Sequence, residues 1–337
     1  MKPEDRFVEK LRALLPPAPG VLLGPGDDAA VVDWASGLLA ATTDMLVEGV
    51  DFLPGEDPER LGRRAVAVNL SDLAAMGARP ELFLLSIAFP ASEREDFPLA
   101  VARGAIQRAA EFGAHLAGGD LSAAPARMLS VAAWGRLAGR PLTRAGASPG
   151  DRVYVTGNLG DAAAGLRVAK RLAAGLNESA QPPDGLSSEH RQSLLDAYRD
   201  PVPRVALGLA LAQQRVASAA IDVSDGLGLD AGRLARASGA RVALEKDRLP
   251  ISPALESFGV VEAIDPAELA ISGGDDYELL FTVPEAAAGR LESLAAETGV
   301  RVTHIGGVEP GRGAVLRSPS GERDVAGLGH DHLEAGR

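Results

Sequence analysis

Six short stretches of the chain place aspartate close to glycine, serine or threonine, and none of them contains lysine or arginine. They are GDD at 26–28, TTD at 42–44, NLSD at 69–72, GGD at 118–120, IDVSDG at 221–226 and GGDD at 273–276. Carboxylates and threonine hydroxyls are hard oxygen ligands of the kind that Mg²⁺ prefers. One such stretch alone is more commonly a turn or a helix cap. Six together predict a site for divalent cations, because unpaired carboxylates would repel one another.

Other kinds of active site have little support in the sequence. It contains no D-x-D-x-D-G loop for Ca²⁺, no G-x-x-x-x-G-K-[ST] phosphate loop and no H-E-x-x-H zinc motif. Cysteine is absent, which excludes disulfides, thiolate nucleophiles and zinc-thiolate sites. The five histidines are scattered, and His115 lies in an apolar strand, where we interpret it as a core residue. A nucleophile activated by histidine is therefore not expected.

The apolar periodicities alternate between helix and strand along the chain. We predict helices around 4–15, over 58–76 and 96–112, from 159, after Arg204 and from 226, and strands at AAVVDW, GLLAATTD, ELFLLSIAF, AHLAGGD, MLSVAAWGRL, RVYVT, SAAID, ARVAL and DDYELLFTV. Most aspartate stretches then lie where a strand ends or a helix begins, as ligand sites do in α/β folds. The mixed order predicts an α+β or α/β fold, with mixed sheets and flanking helices.

The length of 337 residues predicts two domains. Turn-forming residues are concentrated in GRPLTRAGASPGD, 139–151, so we place the boundary there, with domains at 1–138 and 139–337. We interpret GLNESAQPPDGLSS as a surface loop.

Composition and charge narrow the possible partners. The net charge of −12 argues against binding nucleic acid, which requires a basic face. No apolar run reaches the roughly 18 residues of a membrane span, and MKPEDRFVEKLRALL alternates charged with apolar residues, unlike a signal peptide. We therefore expect a cytoplasmic protein that binds neither nucleic acid nor membrane.

An acidic protein can bind a polyanionic phosphate if metal ions bridge the two. Mg²⁺ would neutralise the phosphates while the aspartates hold the Mg²⁺, and an arginine such as Arg144, in LTRAG, would complete the clamp. This arrangement favours phosphoryl transfer, in which positioning and charge neutralisation supply most of the acceleration.

Seven ordered motifs, followed by a terminal HDHL, resemble those of the thiamine-monophosphate kinases in the aminoimidazole ribonucleotide synthetase superfamily. The motifs are GPGDDAAVV, TTDMLVEGVDF, AVNLSDLAAMGA, GGDLS, LTRAGASPGDRVYVTGNLGDAAAGL, IDVSDGL and SGGDDYELLFTV. The resemblance implies the two-domain fold of that superfamily, several Mg²⁺ ions, and a homodimer formed through the N-terminal domains. It also implies that ATP phosphorylates thiamine phosphate to thiamine diphosphate, the last step of thiamine diphosphate biosynthesis. The first domain would bind ATP and metal, and the second would complete the active site.

The resemblance also assigns residues. The metal ligands would be Asp28, Thr42, Thr43, Asp44, Asp72, Asp120, Asp222 and Asp225, and the ATP contacts would be Gly119, Asp120, Arg144 and Ser224. Three predicted substrate-binding residues depart from the family, which usually has histidine at Asp51, glutamate at Asp275 and an aromatic residue at His330. We expect no catalytic base, because the acceptor is a phosphate oxygen that is largely deprotonated at neutral pH. Direct in-line transfer is therefore predicted.

Four alternatives were weighed against this interpretation. Selenophosphate synthetase and the hydrogenase-maturation dehydratase use a reactive cysteine or selenocysteine, and the chain has no cysteine. Aminoimidazole ribonucleotide synthetase itself is disfavoured by TTDMLVEG and SGGDDYEL. The fourth is a regulator that binds Mg-nucleotide without turnover, and measured turnover would exclude it.

Overall fold

A six-stranded sheet organises the first part of the chain. The computed structural model describes residues 2, 9, 21–23, 26–34, 37–93, 96–175 and 185–331. The strands of this sheet are β1 (Val21–Leu23), β2 (Ala30–Trp34), β3 (Gly37–Val47), β4 (Ala78–Phe89), β5 (His115–Ala123) and β6 (Met128–Leu137). Their order is β1-β2-β3-β6-β4-β5, and every pair is antiparallel except β4 with β5.

Helices α1 (Pro58–Ala75) and α2 (Asp96–Glu111) accompany this sheet. The side chain of Asp57 caps α1 by accepting from the backbone N–H of Arg60, and Pro58 occupies the first turn, where no N–H is needed. The two helices cross closely at glycine, because a Cβ on Gly104 would lie 1.8 Å from the carbonyl oxygen of Glu59. This crossing fixes α1, which carries part of the site described below.

A seven-stranded mixed sheet organises the second part. In chain order its elements and the surrounding helices are β7 (Arg152–Thr156), α3 (Asp161–Ala173), α4 (Ser188–Arg199), α5 (Val205–Gln213), β8 (Ala219–Val223), α6 (Leu227–Ser238), β9 (Arg241–Glu245), α7 (Pro253–Glu262), α8 (Pro266–Ser272), β10 (Glu278–Val283), α9 (Ala288–Thr298), β11 (Val302–Glu309), β12 (Gly313–Ser318) and β13 (Gly321–Asp324). The strand order is β13-β12-β9-β11-β7-β10-β8.

The two parts share a hydrophobic core in which α1 is central. Thirteen of its eighteen residues are buried, so the helix is covered on more than one side. Its last turn meets α5, where a Cβ on Gly208 would lie 2.1 Å from the carbonyl oxygen of Ala74. Polar contacts reinforce the junction, since Asp200 accepts from both Arg63 and Arg108. Helix α1 is therefore held by elements from both parts of the chain.

The predicted α+β architecture is confirmed, with mixed sheets and flanking helices. The interpretation of His115 as a core residue is wrong, because β5 is an edge strand and all of its residues are exposed. The predicted helix around 4–15 and most of the loop at GLNESAQPPDGLSS lie outside the described residues. Among the described helices, none combines the length and the apolar character needed to cross a bilayer.

Candidate functional site

The predicted metal ligands other than Asp120 line a cleft of about 730 Å³ between the two parts of the chain. The loop before β2 supplies Asp28, the strand β3 supplies Thr42 to Asp44, and α1 supplies Asp72. From the second part, β8 supplies Asp222, and Asp225 follows in the turn before α6. Asp28, Asp222 and Asp225 lie at strand ends or turns, whereas Thr42 to Asp44 lie within β3 and Asp72 lies in the last turn of α1. The expectation that the ligands lie where strands end or helices begin therefore holds only in part.

Three carboxylates form the floor of this cleft. Asp28, Asp72 and Asp222 each place one oxygen within 4.8 Å of the other two. Asp28 and Asp222 are buried, and Asp72 is partly buried. Three negatively charged oxygens this close are a suitable donor set for a hard divalent cation such as Mg²⁺.

Hydroxyl groups fix the orientation of two of these carboxylates. The Thr42 hydroxyl donates to Asp72 Oδ2 at 2.5 Å. The Ser71 hydroxyl donates to Asp222 Oδ2 at 2.7 Å, a contact from α1 to β8. Each carboxylate keeps a second oxygen that these hydrogen bonds do not use, so the set is oriented and can still bind a cation.

Burial and the charges of neighbouring carboxylates raise the pKa of two floor carboxyls, Asp72 and Asp222. For Asp72 the larger cause is burial, followed by the charges of Asp44, Asp222 and Asp28. For Asp222 burial again comes first, followed by the charge of Asp28. A carboxylate in such a position needs either a proton or a nearby cation.

Arginines that are distant in sequence pair with two predicted metal ligands. Arg144 donates to both oxygens of Asp28, from Nη2 at 2.9 Å and from Nε at 3.2 Å. Arg233, on α6, donates to Asp225 and to Asp230. These carboxylates have no basic residue close in sequence, but the fold brings arginines to Asp28 and Asp225 from other elements, which offsets part of the repulsion expected from the sequence.

The other predicted ligands on β3 differ in their contacts. The Thr43 hydroxyl donates to the carbonyl oxygen of Val131 at 2.9 Å, across the ladder to β6. Asp44 is exposed, and its backbone N–H donates to Asn69 Oδ1 at 3.1 Å. Both residues line the cleft beside Thr42.

The three residues that depart from the family pattern also line the cleft. Asp51 Oδ2 accepts from the backbone N–H of Val47 at 2.8 Å, a contact that closes the turn after β3. Asp275 forms an ion pair with Arg64 at 3.0 Å. His330 is tied to Asp225 through its backbone N–H, at 2.8 Å. The predicted ATP contact Ser224 lines the same cleft.

Gly119 and Asp120 lie elsewhere. Both are exposed on β5 and line a separate groove, with Leu121 and with Leu99 of α2. Gly119 tolerates no side chain, because a Cβ there would lie 1.9 Å from the carbonyl oxygen of Leu85. A single chain therefore does not bring Gly119 and Asp120 to the cleft.

Sequence reasoning missed the cationic residues that line the cleft besides Arg144, which are Arg64, Arg167, Lys170, Arg233 and Arg236. A signal for Arg64 was available, since Arg64, Val68 and Asp72 follow one another at intervals of four on α1, and all three line the cleft. Counting in steps of four residues along a helix from a suspected ligand thus identifies other residues on the same face of that helix.

The raised pKa values predict how the stability of the metal-free protein depends on pH. Burial raises the pKa of Asp27 and of Asp230 from 3.8 to about 7. Folding then retains protons that the unfolded chain releases above about pH 4, so stability falls as pH rises from 4 through 7. We expect the melting temperature in EDTA to fall by roughly 5 °C or more between pH 5 and pH 8. Saturating Mg²⁺ should flatten this slope, and a melting temperature in EDTA that rises with pH would contradict the assignment.

The chain matches two family models and several known proteins. Residues 26–137 match the model of the AIR synthase related protein N-terminal domain, and residues 148–318 match that of the C-terminal domain. A thiamine-monophosphate kinase of Salmonella typhimurium is 40% identical over 285 residues, which cover 84% of this chain and 83% of the relative.

Solved structures agree with these matches. The thiamine-monophosphate kinase of Stenotrophomonas maltophilia is 37% identical, with a TM-score of 0.75, and the match covers 93% of this chain and 96% of that one. A structure described as AaThiL complexed with AMPPCP and TMP is 31% identical, with a TM-score of 0.78 and coverage of 93% and 91%.

Proposed function

Since the chain belongs to the thiamine-monophosphate kinase family, we propose that it transfers the terminal phosphoryl group of ATP to thiamine phosphate and so forms thiamine diphosphate. The observation that carries the proposal is the floor of the cleft, where Asp28, Asp72 and Asp222 come within 4.8 Å of one another. The AaThiL structure with AMPPCP, an ATP analogue, and TMP supports both substrates. We further propose cytoplasmic activity and domains at 1–138 and 139–337.

The carboxylates of the floor would hold Mg²⁺, with Thr42, Thr43, Asp44 and Asp225 around them as further oxygen ligands. When bound, Mg²⁺ would neutralise the charge that builds up on the transferring phosphoryl group. Arg144 and Ser224 would contact the nucleotide. The guanidinium of Arg144 pairs with both oxygens of Asp28 in this structure, so it would contact phosphate oxygens once a cation takes over that carboxylate.

The proposed transfer is a single in-line displacement. An oxygen of the acceptor phosphate attacks the terminal phosphorus of ATP, the bond from that phosphorus to the bridging oxygen breaks, and ADP leaves. The acceptor oxygen is largely deprotonated at neutral pH, since its second pKa is about 6, so no general base is required. The chain has no cysteine to carry the phosphoryl group in between.

This mechanism predicts the stereochemical outcome. A γ-phosphoryl group made chiral with oxygen isotopes is expected to reach thiamine phosphate with inversion at phosphorus, and initial-rate plots are expected to intersect. Net retention, or a phospho-enzyme that forms with ATP alone, would show two displacements instead of one.

We also propose a homodimer formed through the first domain. Leu84, Leu99, Leu116 and Leu121 are all at least 36% exposed on β4, β5 and α2, an unusual density of large apolar side chains at a free surface. The exposed edge β5 also carries Asp120, which can serve a cleft only if another chain supplies that cleft. Sedimentation of the wild type and of Leu121→Glu tests this: the variant is expected to sediment as a lighter species.

The assay that tests the proposed function measures thiamine diphosphate formed from ATP and thiamine phosphate. Unphosphorylated thiamine is the matched control acceptor, and we expect it to be inactive because its hydroxyl group would need a base. A regulator without turnover would bind ATP but form no product. That result would reject the kinase and favour the fourth alternative.

A further inference from the structure

We infer that Arg64 is a positioning residue for the phosphoryl acceptor, acting through Asp275; this role rests on the proposed function. Arg64 Nη2 lies 3.0 Å from Asp275 Oδ2, and the Arg64 side chain is only 3% exposed. The hydroxyl of Tyr277 donates to the other oxygen, Asp275 Oδ1, at 3.1 Å. Both oxygens of this carboxylate are thus oriented by groups of the protein itself.

The guanidinium group of Arg64 is held from both parts of the chain. Its backbone belongs to the buried helix α1, while its carbon Cζ lies 4.5 Å from the ring centroid of Tyr198, on α4. Tyr198 is itself almost completely buried. Stacking on an aromatic face and the ion pair with Asp275 together leave the side chain of Arg64 little freedom.

The backbone around Asp275 is also fixed. Asp275 has φ of 71° and Tyr277 has φ of 50°, both in the left-handed region that residues with a side chain seldom occupy. The backbone N–H of Asp275 donates to the carbonyl oxygen of Ser224 at 2.7 Å, and that of Tyr277 donates to the carbonyl oxygen of Val223 at 2.8 Å. Such backbone strain is concentrated at functional sites.

These contacts leave defined binding capacity in the cleft. A carboxylate oxygen can accept about two hydrogen bonds. Tyr277 uses one position on Oδ1, and Arg64 lies against Oδ2 as an ion pair. Each oxygen of Asp275 therefore keeps at least one acceptor position for a donor group of the substrate. Because Arg64 offsets the charge of Asp275, recognition here depends on the direction of hydrogen bonds more than on net charge.

The length of the two side chains matters. Aspartate is one methylene shorter than the glutamate that the family resemblance leads us to expect at this position, and the long, forked side chain of Arg64 reaches it from α1. Replacing Arg64 by the shorter lysine should therefore release Asp275. Replacing Asp275 by the longer glutamate should restore the ion pair with that lysine.

The test compares steady-state kinetics of Arg64→Lys, Asp275→Glu and the double variant. Arg64→Lys is expected to raise KM for thiamine phosphate about tenfold to a hundredfold, because the close ion pair that orients Asp275 is lost, while KM for ATP changes less than twofold. The double variant should recover most of this loss. The matched control is Arg63→Lys, because Arg63 lies on the same helix and contacts Asp200 at 3.0 Å without lining the cleft; it should change neither KM.

Three outcomes separate the hypotheses. An unshifted acceptor KM in Arg64→Lys, or equal shifts for both substrates, overturns the positioning role alone. A wild-type chain that forms no thiamine diphosphate overturns the proposed function and this role with it. If Arg64→Lys does not fold, Tyr277→Phe removes one hydroxyl from the same carboxylate and is expected to raise the acceptor KM about threefold to tenfold; no shift there would reject the inference.

Discussion

Excess EDTA is expected to abolish ATP binding as well as turnover. The chain carries a net charge of −12, and the floor of its cleft is made of three carboxylates within 4.8 Å of one another. A polyanionic nucleotide would be repelled from that floor unless cations lie between the two. The guanidinium group of Arg144 cannot replace them alone, because it already pairs with both oxygens of Asp28.

Isothermal calorimetry with ATP measures this effect directly. In Mg²⁺ we expect ordinary binding, and in EDTA a loss of affinity of at least about a hundredfold, with full recovery when Mg²⁺ is added back. The recovery is the control for unfolding. An ATP affinity that is the same with and without EDTA would reject the idea that metal ions bridge protein and phosphate.

Replacing Asp72 by asparagine is expected to separate catalysis from stability. The change removes a charge at nearly constant shape, in a position where burial and the charges of Asp44, Asp222 and Asp28 raise the carboxyl pKa. Turnover should fall at least about a hundredfold, because a ligand of the proposed metal site is lost. The metal-free melting temperature at pH 7.5 should stay level or rise, because repulsion at the floor is relieved.

The matched control is Asp33→Asn, which removes the same charge from an exposed position on β2. It should leave both turnover and melting temperature unchanged. If Asp72→Asn unfolds easily while its folded fraction keeps full specific activity, Asp72 is a structural residue and the proposed metal site has lost one of its three floor ligands.

The sequence was sufficient to predict most of the acidic residues that come together, with Asp120 as the exception. Asp28, Asp72 and Asp222 are far apart in the chain, but Asp28 precedes β2, Asp72 lies in the last turn of α1 and Asp222 lies near the end of β8. Strand ends in such folds converge. The alternation of periodicities also predicted most strands and helices that carry them. Local sequence patterns were therefore enough to assign most of the proposed ligands to particular strands, helices and turns.

The same reasoning could not predict which residues pair with these aspartates through tertiary contacts. Nothing local to Asp28 or Asp225 indicates that Arg144 and Arg233 pair with them, because those pairs depend on how the two parts of the chain dock. The GGD stretch at Asp120 has the same local pattern as the others, but it lies on an exposed edge strand, facing a separate groove. The sequence pattern identifies a suitable ligand, but it does not show whether that ligand belongs to the cleft of its own chain or to the cleft of a second copy.

The hydrogen bond from Ser71 to Asp222 has a thermodynamic consequence. It joins α1 to β8 immediately beside Asp72, so the proposed cation site exists only while both parts of the chain remain docked. Cation binding and docking of the two parts are then coupled. If a bound cation strengthens docking by some factor, docking raises the affinity for the cation by the same factor. Substitutions far from the cleft, at the crossing of α1 with α5, can therefore tune the Mg²⁺ concentration that the chain requires without altering a single ligand.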